Sequence, residues 1–172
     1  MKIFSFDVET NGLYGQGFAI AAVVTDSDGL VAQFLARCPI VDSVNEWVAQ
    51  NVLPQMTDIE VTHNSYSEML EAFFGFYVQN KKDSVVIAHM AFPVEAKFLR
   101  DMIELDLGNR QWEGPFPLID VAGTLDARGF DPTSVDTYNK NNGLVVPFNG
   151  STHNPLFDAW SAEVCYRHLK SS

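Results

Sequence analysis

Three observations predict an α/β fold: a mixed sheet, with an antiparallel three-strand meander plus parallel strands, flanked by helices. Three apolar runs separated by turn residues open the chain. A short β-branched run of the kind buried in parallel sheets lies near its middle. Runs with helical periodicity then alternate with strands to the end, giving the order β-β-β-α-α-β-α-β-α.

Each element has its own signal. Ile3 to Val8 alternates as a strand and ends at the turn pair Asn11-Gly12. Phe18 to Thr25 is a second strand, Asp28-Gly29 a hairpin turn, and Leu30 to Arg37 a third strand. Asp42 and Ser43 are the expected caps of a short helix, Val44 to Val52, stopped by Pro54. Ser65 and Glu68 form a capping box ahead of Met69, Leu70, Phe73, Phe74 and Tyr77 on one helical face. Ser84 to Ala88 is the buried parallel strand, and Pro93 opens a helix running to about Leu107. Leu118 to Val121 reads as a last strand. The stretch Gly129 to Thr152 is expected as a long loop, with a helical turn near Val135 to Asn139, before a final helix from Pro155 to Leu169. No repeat or linker divides the chain, so 1–172 is read as one domain.

Composition limits the function. Eleven Lys and Arg against 22 Asp and Glu give a net charge of −11. Such a chain does not coat nucleic acid by charge alone, because that needs a basic surface. Acids in the N-terminal apolar stretch argue against a secretory signal, and no apolar run reaches the ~20 residues needed to span a bilayer. Cys38 and Cys165 lie far apart without Cys or His at zinc spacing. Two free thiols in a reducing cytoplasm are therefore expected, with no membrane partner.

Three segments carry candidate chemistry. In Phe6-Asp7-Val8-Glu9-Thr10, strand alternation puts Asp7 and Glu9 on one face and Phe4, Phe6 and Val8 on the other. Two carboxylates so placed can share hard divalent cations. Glu95 has Phe98, Leu99 and Met102 at i+3, i+4 and i+7, which sets a carboxylate on an apolar helix face, where pairing or a metal must offset its burial. A glutamate complementing a helix dipole is the structural alternative. His89, at the end of the preceding strand, fits a satisfied structural histidine more readily than a ligand. In His153-Asn154-Pro155-Leu156-Phe157-Asp158-Ala159, the aspartate enters a helix whose small neighbours allow close approach to the sheet, and His153 overhangs it as a candidate base. Asp120 is expected to satisfy backbone groups, and Lys81-Lys82 to sit in a solvated loop. The glycine-rich run Gly12 to Gly17 has neither dinucleotide nor Walker spacing and is read as a loop at the site mouth.

In this order the segments resemble the DEDDh branch of the 3′–5′ exonucleases, the group of ribonuclease T and the proofreading subunit of DNA polymerase III. Asp7-Val8-Glu9-Thr10-Asn11-Gly12-Leu13 is similar to the family's D-x-E-T-x-G-L, Ala88-His89 with Phe98-Leu99 to its second motif, and His153 to Ala159 to its H-x4-D-A. Trp47 to Pro54 bears a fainter likeness to the ribonuclease AS group. The resemblance implies a ribonuclease H-like fold and a metal-dependent 3′–5′ exonuclease releasing nucleoside 5′-monophosphates from single-stranded 3′ ends, RNA weakly favoured over DNA. It implies two Mg²⁺ or Mn²⁺ held by Asp7, Glu9, Glu95 and Asp158, with His153 as base. It also implies that Thr10, Asn11, Gly12, Leu13 and His89 contact the substrate, and that the protein dimerises. Glu95 stands where the family carries aspartate, and Met90 where it carries asparagine. That departure supports a second reading, a catalytically weak or inactive exonuclease-fold protein that binds nucleic acid or a partner. Setting the four acids aside takes the charge from −11 to −7, which argues against tracking along a strand.

Overall fold

In the computed structural model, which describes residues 1–171, five strands form one sheet in the order β3-β2-β1-β4-β5. They are β1 (Lys2–Thr10), β2 (Gly17–Thr25), β3 (Leu30–Arg37), β4 (Ser84–Ala88) and β5 (Ile119–Asp120). β1 pairs antiparallel with β2 and parallel with β4, and the β1–β4 ladder runs only from Lys2 to Ser5. β2 pairs antiparallel with β3, and β4 parallel with β5. The mixed sheet of the sequence reading is therefore present.

Helices cover both faces. One side carries α1 (Glu46–Asn51), a 3-10 turn (Leu53–Met56), α2 (Tyr66–Asn80), α3 (Val94–Glu104) and α4 (Leu107–Arg110). Their core is aromatic: Phe73 lies edge-on to Phe4 at 6.2 Å and to Phe98 at 5.4 Å between ring centres. The other side carries α5 (Val121–Ala127), α6 (Val135–Asn141) and α7 (Pro155–Ser171). There Ile3, Ile87, Leu125, Cys165 and Leu169 pack together, and Ala21 and Val23 pack on Leu156 and Ala159. All of β2 is buried because both of its faces are covered.

Alternation along β1 positions the site. Phe4, Phe6 and Val8 enter the aromatic layer, while Ile3, at the other parity, packs in the layer of α7. Buried Ser5 donates its hydroxyl to the carbonyl of Ala159 on α7 at 2.7 Å. Small residues on the sheet-facing side of α7 permit that approach. Further along, the Thr25 hydroxyl donates to buried Glu163 at 2.6 Å, and Arg167 bonds both. α7 is thus held to the sheet by polar contacts as well as apolar ones.

Several boundaries differ from expectation. α1 is capped by Asn45, whose side chain accepts from the N–H groups of Trp47 and Val48, and not by Asp42 or Ser43. Pro54 does not end the segment but lies in the first turn of the 3-10 piece, where its missing N–H costs nothing. The helix expected to reach Leu107 breaks at Leu105, and α4 follows separately. α5 begins at Val121, where the sequence predicts the end of the last strand, and Asp120 is both the last strand residue and the helix cap. α6 extends to Asn141 from its Ser134 cap within the expected loop. In the Ser65 capping box the hydroxyl accepts from Glu68 N–H, but Glu68 returns its bond to Asn64 N–H. Cys38 and Cys165 are free and buried, and burial pushes their thiols up to about 11 and about 12. Among the described residues no helix is long and apolar enough to cross a membrane.

Candidate active site

Asp7 and Glu9 reach the site because β1 outruns β4. Beyond Ser5 the strand has no parallel partner, and its register with β2 shifts between Glu9 and Thr10. A β-bulge at such a point re-aims side chains and terminates pairing. The first turn of α7 brings Asp158 to the same spot. Asp7, Glu9 and Asp158 each offer an oxygen, and these oxygens lie within 4.8 Å of one another.

Glu95 enters from the first turn of α3 and is buried. Val8 N–H lies past the end of the β1–β4 ladder, and it donates to Glu95 Oε1 at 3.3 Å. The carboxylate thereby satisfies a backbone donor left over by the sheet. It stands near the other three acids electrostatically, yet it is not part of the close trio.

This crowding costs free energy when every group is charged. Burial, then the charges of Asp158, Glu9 and Glu95, raise the Asp7 carboxyl well above its usual range. Burial, then Asp158 and Glu95, push Glu9 up to about 8. Burial also pushes Glu95 to about 8, partly opposed by backbone hydrogen bonds, including the one from Val8. Asp158 rises to about 7 through burial, opposed by a hydrogen bond from His153 N–H and reinforced by Asp136. A set of hard oxygen donors with excess negative charge fits a hard divalent cation. Asp7, Glu9 and Asp158 are the residues that would hold it.

His153 overhangs the trio from the loop before α7. Its backbone is left-handed at φ 72°, a conformation unusual for a non-glycine residue. Three contacts hold it there. Its N–H donates to Asp158 Oδ2 at 2.7 Å, closing the His-x4-Asp spacing through the backbone. The Trp47 ring meets the imidazole edge-on at 5.2 Å. The preceding Thr152 hydroxyl donates to Asp136 Oδ2 at 3.0 Å. Nδ1 of His153 lies 3.9 Å from Glu9 Oε1, and burial lowers its pKa, which favours the neutral imidazole.

The other sequence candidates separate. Leu13 is exposed and lines the cleft above the acids, as do Thr10, Gly12 and His89. His89 also has a hydrogen-bonding contact to the carbonyl of Pro132 at 2.9 Å. Gly12 has φ 86° with Asn45 beside it, a position suited to glycine. Asn11 does not line the cleft: its side chain donates to Ser43 carbonyl and accepts from Asn45 N–H, joining the loop to the start of α1. Asp120 accepts from the N–H groups of Met90, Ala91 and Ala122, the backbone role read for it. Two residues carry no sequence signal for the site. Asp136 lies within the expected helical turn, and Gln55 accepts from Ser151 Oγ through its side chain and from Asn154 Nδ2 through its backbone carbonyl, partners more than ninety positions away. The Ser134 cap signal marks the helix of the first but not its place at the site; nothing local marks the second.

Solved proteins share this architecture. No family model and no curated protein matches this sequence. The zinc-bound E. coli exonuclease I–single-stranded DNA complex is similar with TM-score 0.73 at 12% identity, over 99% of this chain and 40% of that one. Its complex with a dT13 oligonucleotide gives 0.68 at 14%, over 98% and 40%. A 3′-exonuclease, in a structure of 3′-end-specific recognition of a histone mRNA stem-loop, gives 0.71 at 12%, over 99% of this chain and 82% of that one. The chain thus spans about two fifths of the length of exonuclease I. The fold is that of the DEDDh-type 3′–5′ exonucleases, a mixed ribonuclease H-like sheet with helices on both faces.

Proposed function

We propose that residues 1–172 are a divalent-metal-dependent 3′–5′ exonuclease domain. It hydrolyses single-stranded nucleic acid from the 3′ end to nucleoside 5′-monophosphates in a cytoplasmic setting, with RNA weakly favoured over DNA. The observation carrying this reading is the close trio of Asp7, Glu9 and Asp158 beneath His153. The shared fold supports it.

Asp7, Glu9 and Asp158 would hold Mg²⁺ or Mn²⁺ (two per site by the family resemblance), which would supply charge relief on the phosphoryl oxygens and a lowered pKa for the attacking water. Glu95 backs the trio from its bond to Val8 N–H and completes the acidic set. Neutral His153, facing the acids through Nδ1, takes the proton of the attacking water. Its left-handed backbone and the bond to Asp158 fix where that nitrogen sits. Leu13, on the mouth loop, contacts the terminal base.

The test is degradation of matched single-stranded RNA and DNA labelled at either end, with Mg²⁺, Mn²⁺ or chelator. The expected result is a metal-dependent ladder from the 3′ end, reduced about 10²–10⁴-fold in His153→Ala, the usual worth of a general base. If neither metal supports shortening of any strand, the reading is wrong. Light scattering on the same preparation reads the homodimer that the resemblance implies. One observation favours a weaker catalyst: Glu95 is committed to a backbone donor and lies outside the trio. The Glu95→Asp variant addresses it below.

A further inference from the structure

The cleft above the acids has a volume of about 920 Å³ and an unusual lining for a nucleic-acid site. Asp7, Glu9, Glu95, Asp136 and Asp158 face it, and among the described residues no lysine or arginine does. Several of the basic side chains are engaged elsewhere. Lys81, Lys97, Arg100, Arg110 and Arg167 are each ion-paired to a glutamate or aspartate, and Arg37 donates to the carbonyls of Met56 and Ile59. What the cleft offers instead is apolar surface. Leu13, Tyr14, Trp47, Met90 and Phe92 line it, and each is more than half exposed. Large apolar side chains gathered at one cleft mark a binding surface.

We propose that the cleft seats only the last ~2–3 nucleotides of a strand, by stacking bases on Tyr14, Trp47 and Phe92 without any protein cation on the phosphates, so that its substrates are short oligonucleotides. The proposal rests on the exonuclease reading of the same site and deepens it. Base stacking tolerates any base and needs no counterion release. A longer strand gains nothing beyond the cleft, because each further phosphate meets an acidic protein. Affinity therefore stops growing once the aromatic seats are filled.

The experiment compares kcat/KM for a ribotrinucleotide and a twenty-residue strand at saturating Mn²⁺, at low KCl and at a tenfold higher concentration. The two substrates are expected to agree within about threefold, and salt to lower either value by less than about fivefold, the loss that one phosphate contact gives over that range. A long strand preferred by more than about thirtyfold, with a steep salt loss, overturns the proposal, since it reveals several phosphate contacts. Phe92→Ala is expected to raise KM about 5- to 100-fold with kcat retained, and Phe92→Tyr to recover most of it. A fall in kcat at constant KM overturns the stacking role. If no substrate is cut with any metal, the exonuclease reading fails. The seat is then judged by binding: trinucleotide quenching of the fluorescence lost in Trp47→Phe supports it, and no quenching overturns it.

Discussion

Replacing Asp7 by asparagine removes one charge from the centre of the acid cluster and keeps the side chain's shape. In metal-free protein this substitution is expected to stabilise. At 4.8 Å, the outer separation of the three oxygens, a fully charged pair repels by about 3.5 kcal/mol at an effective dielectric near 20. Protonation already relieves part of this, as the elevated Glu9 and Asp158 carboxyls require, so the gain comes to about 2 kcal/mol. For a chain of this length that corresponds to about 4–8 °C in Tm. The sign follows from linkage. Carboxyls raised in the folded state bind protons there that the unfolded chain has released, so metal-free stability falls as pH rises from the ordinary value near 4.5 to about 8. The advantage of Asp7→Asn is therefore largest near pH 8.5, above the raised Glu9 and Glu95 carboxyls, and shrinks toward pH 5 as the cluster takes up protons. Mn²⁺, which binds the ionised trio, raises the wild-type Tm at pH 8.5 and moves the variant much less. Scanning calorimetry with chelator and with Mn²⁺ at the two pH values reads all of this. A variant that melts below wild type in chelator at pH 8.5, or a Mn²⁺ shift equal in both proteins, refutes the argument.

Three further outcomes are expected. Glu95→Asp is one methylene shorter, leaves Val8 N–H without its acceptor, and is expected to cost about 1–3 kcal/mol in urea unfolding together with a rate loss above about tenfold; a gain in rate refutes a native role for the glutamate. Gln55→Ala releases Ser151 from the α1 side of the cleft while the backbone carbonyl still accepts from Asn154, so the His153 loop loosens in part and kcat falls about 2- to 5-fold in steady-state assays, with less than about 1 kcal/mol of stability lost because the bond is exposed. Arg167→Met strands buried Glu163 against Thr25 and is expected to destabilise by about 2 kcal/mol, less than a fully buried pair because Arg167 is about a third exposed, while metal-dependent turnover survives.

The β1–β2–β3 meander, the α2 capping signal and the start of α7 were legible because their causes are local: strand alternation, turn residues and a capping hydroxyl act within a few positions. Asp7 and Glu9 shared a face in the sequence because period-two alternation requires it. The Asp120 cap was legible as chemistry, although not as the start of α5, since two residues of strand lead into the helix without a break in composition. α6 was legible as a helical turn near Val135 to Asn139, and the surrounding glycine, proline and asparagine concealed only its extension to Asn141.

The sequence alone determined the order of the strands and of the longer helices, and which acids are candidates, because hydrophobic periodicity and motif spacing are properties of the chain itself. Only the tertiary structure decided how those acids divide. Where β4 stops pairing with β1 is set by register between segments some eighty residues apart, and that left Val8 N–H for Glu95. The depth to which α7 packs on the sheet brought Asp158 to Asp7 and Glu9. Tethers from Gln55, Trp47 and Asp136 hold the His153 loop across the cleft. The eleven basic residues were countable from the start, but only the tertiary structure showed that none lines the cleft, with Lys81 and Arg110 paired to acids more than thirty positions away.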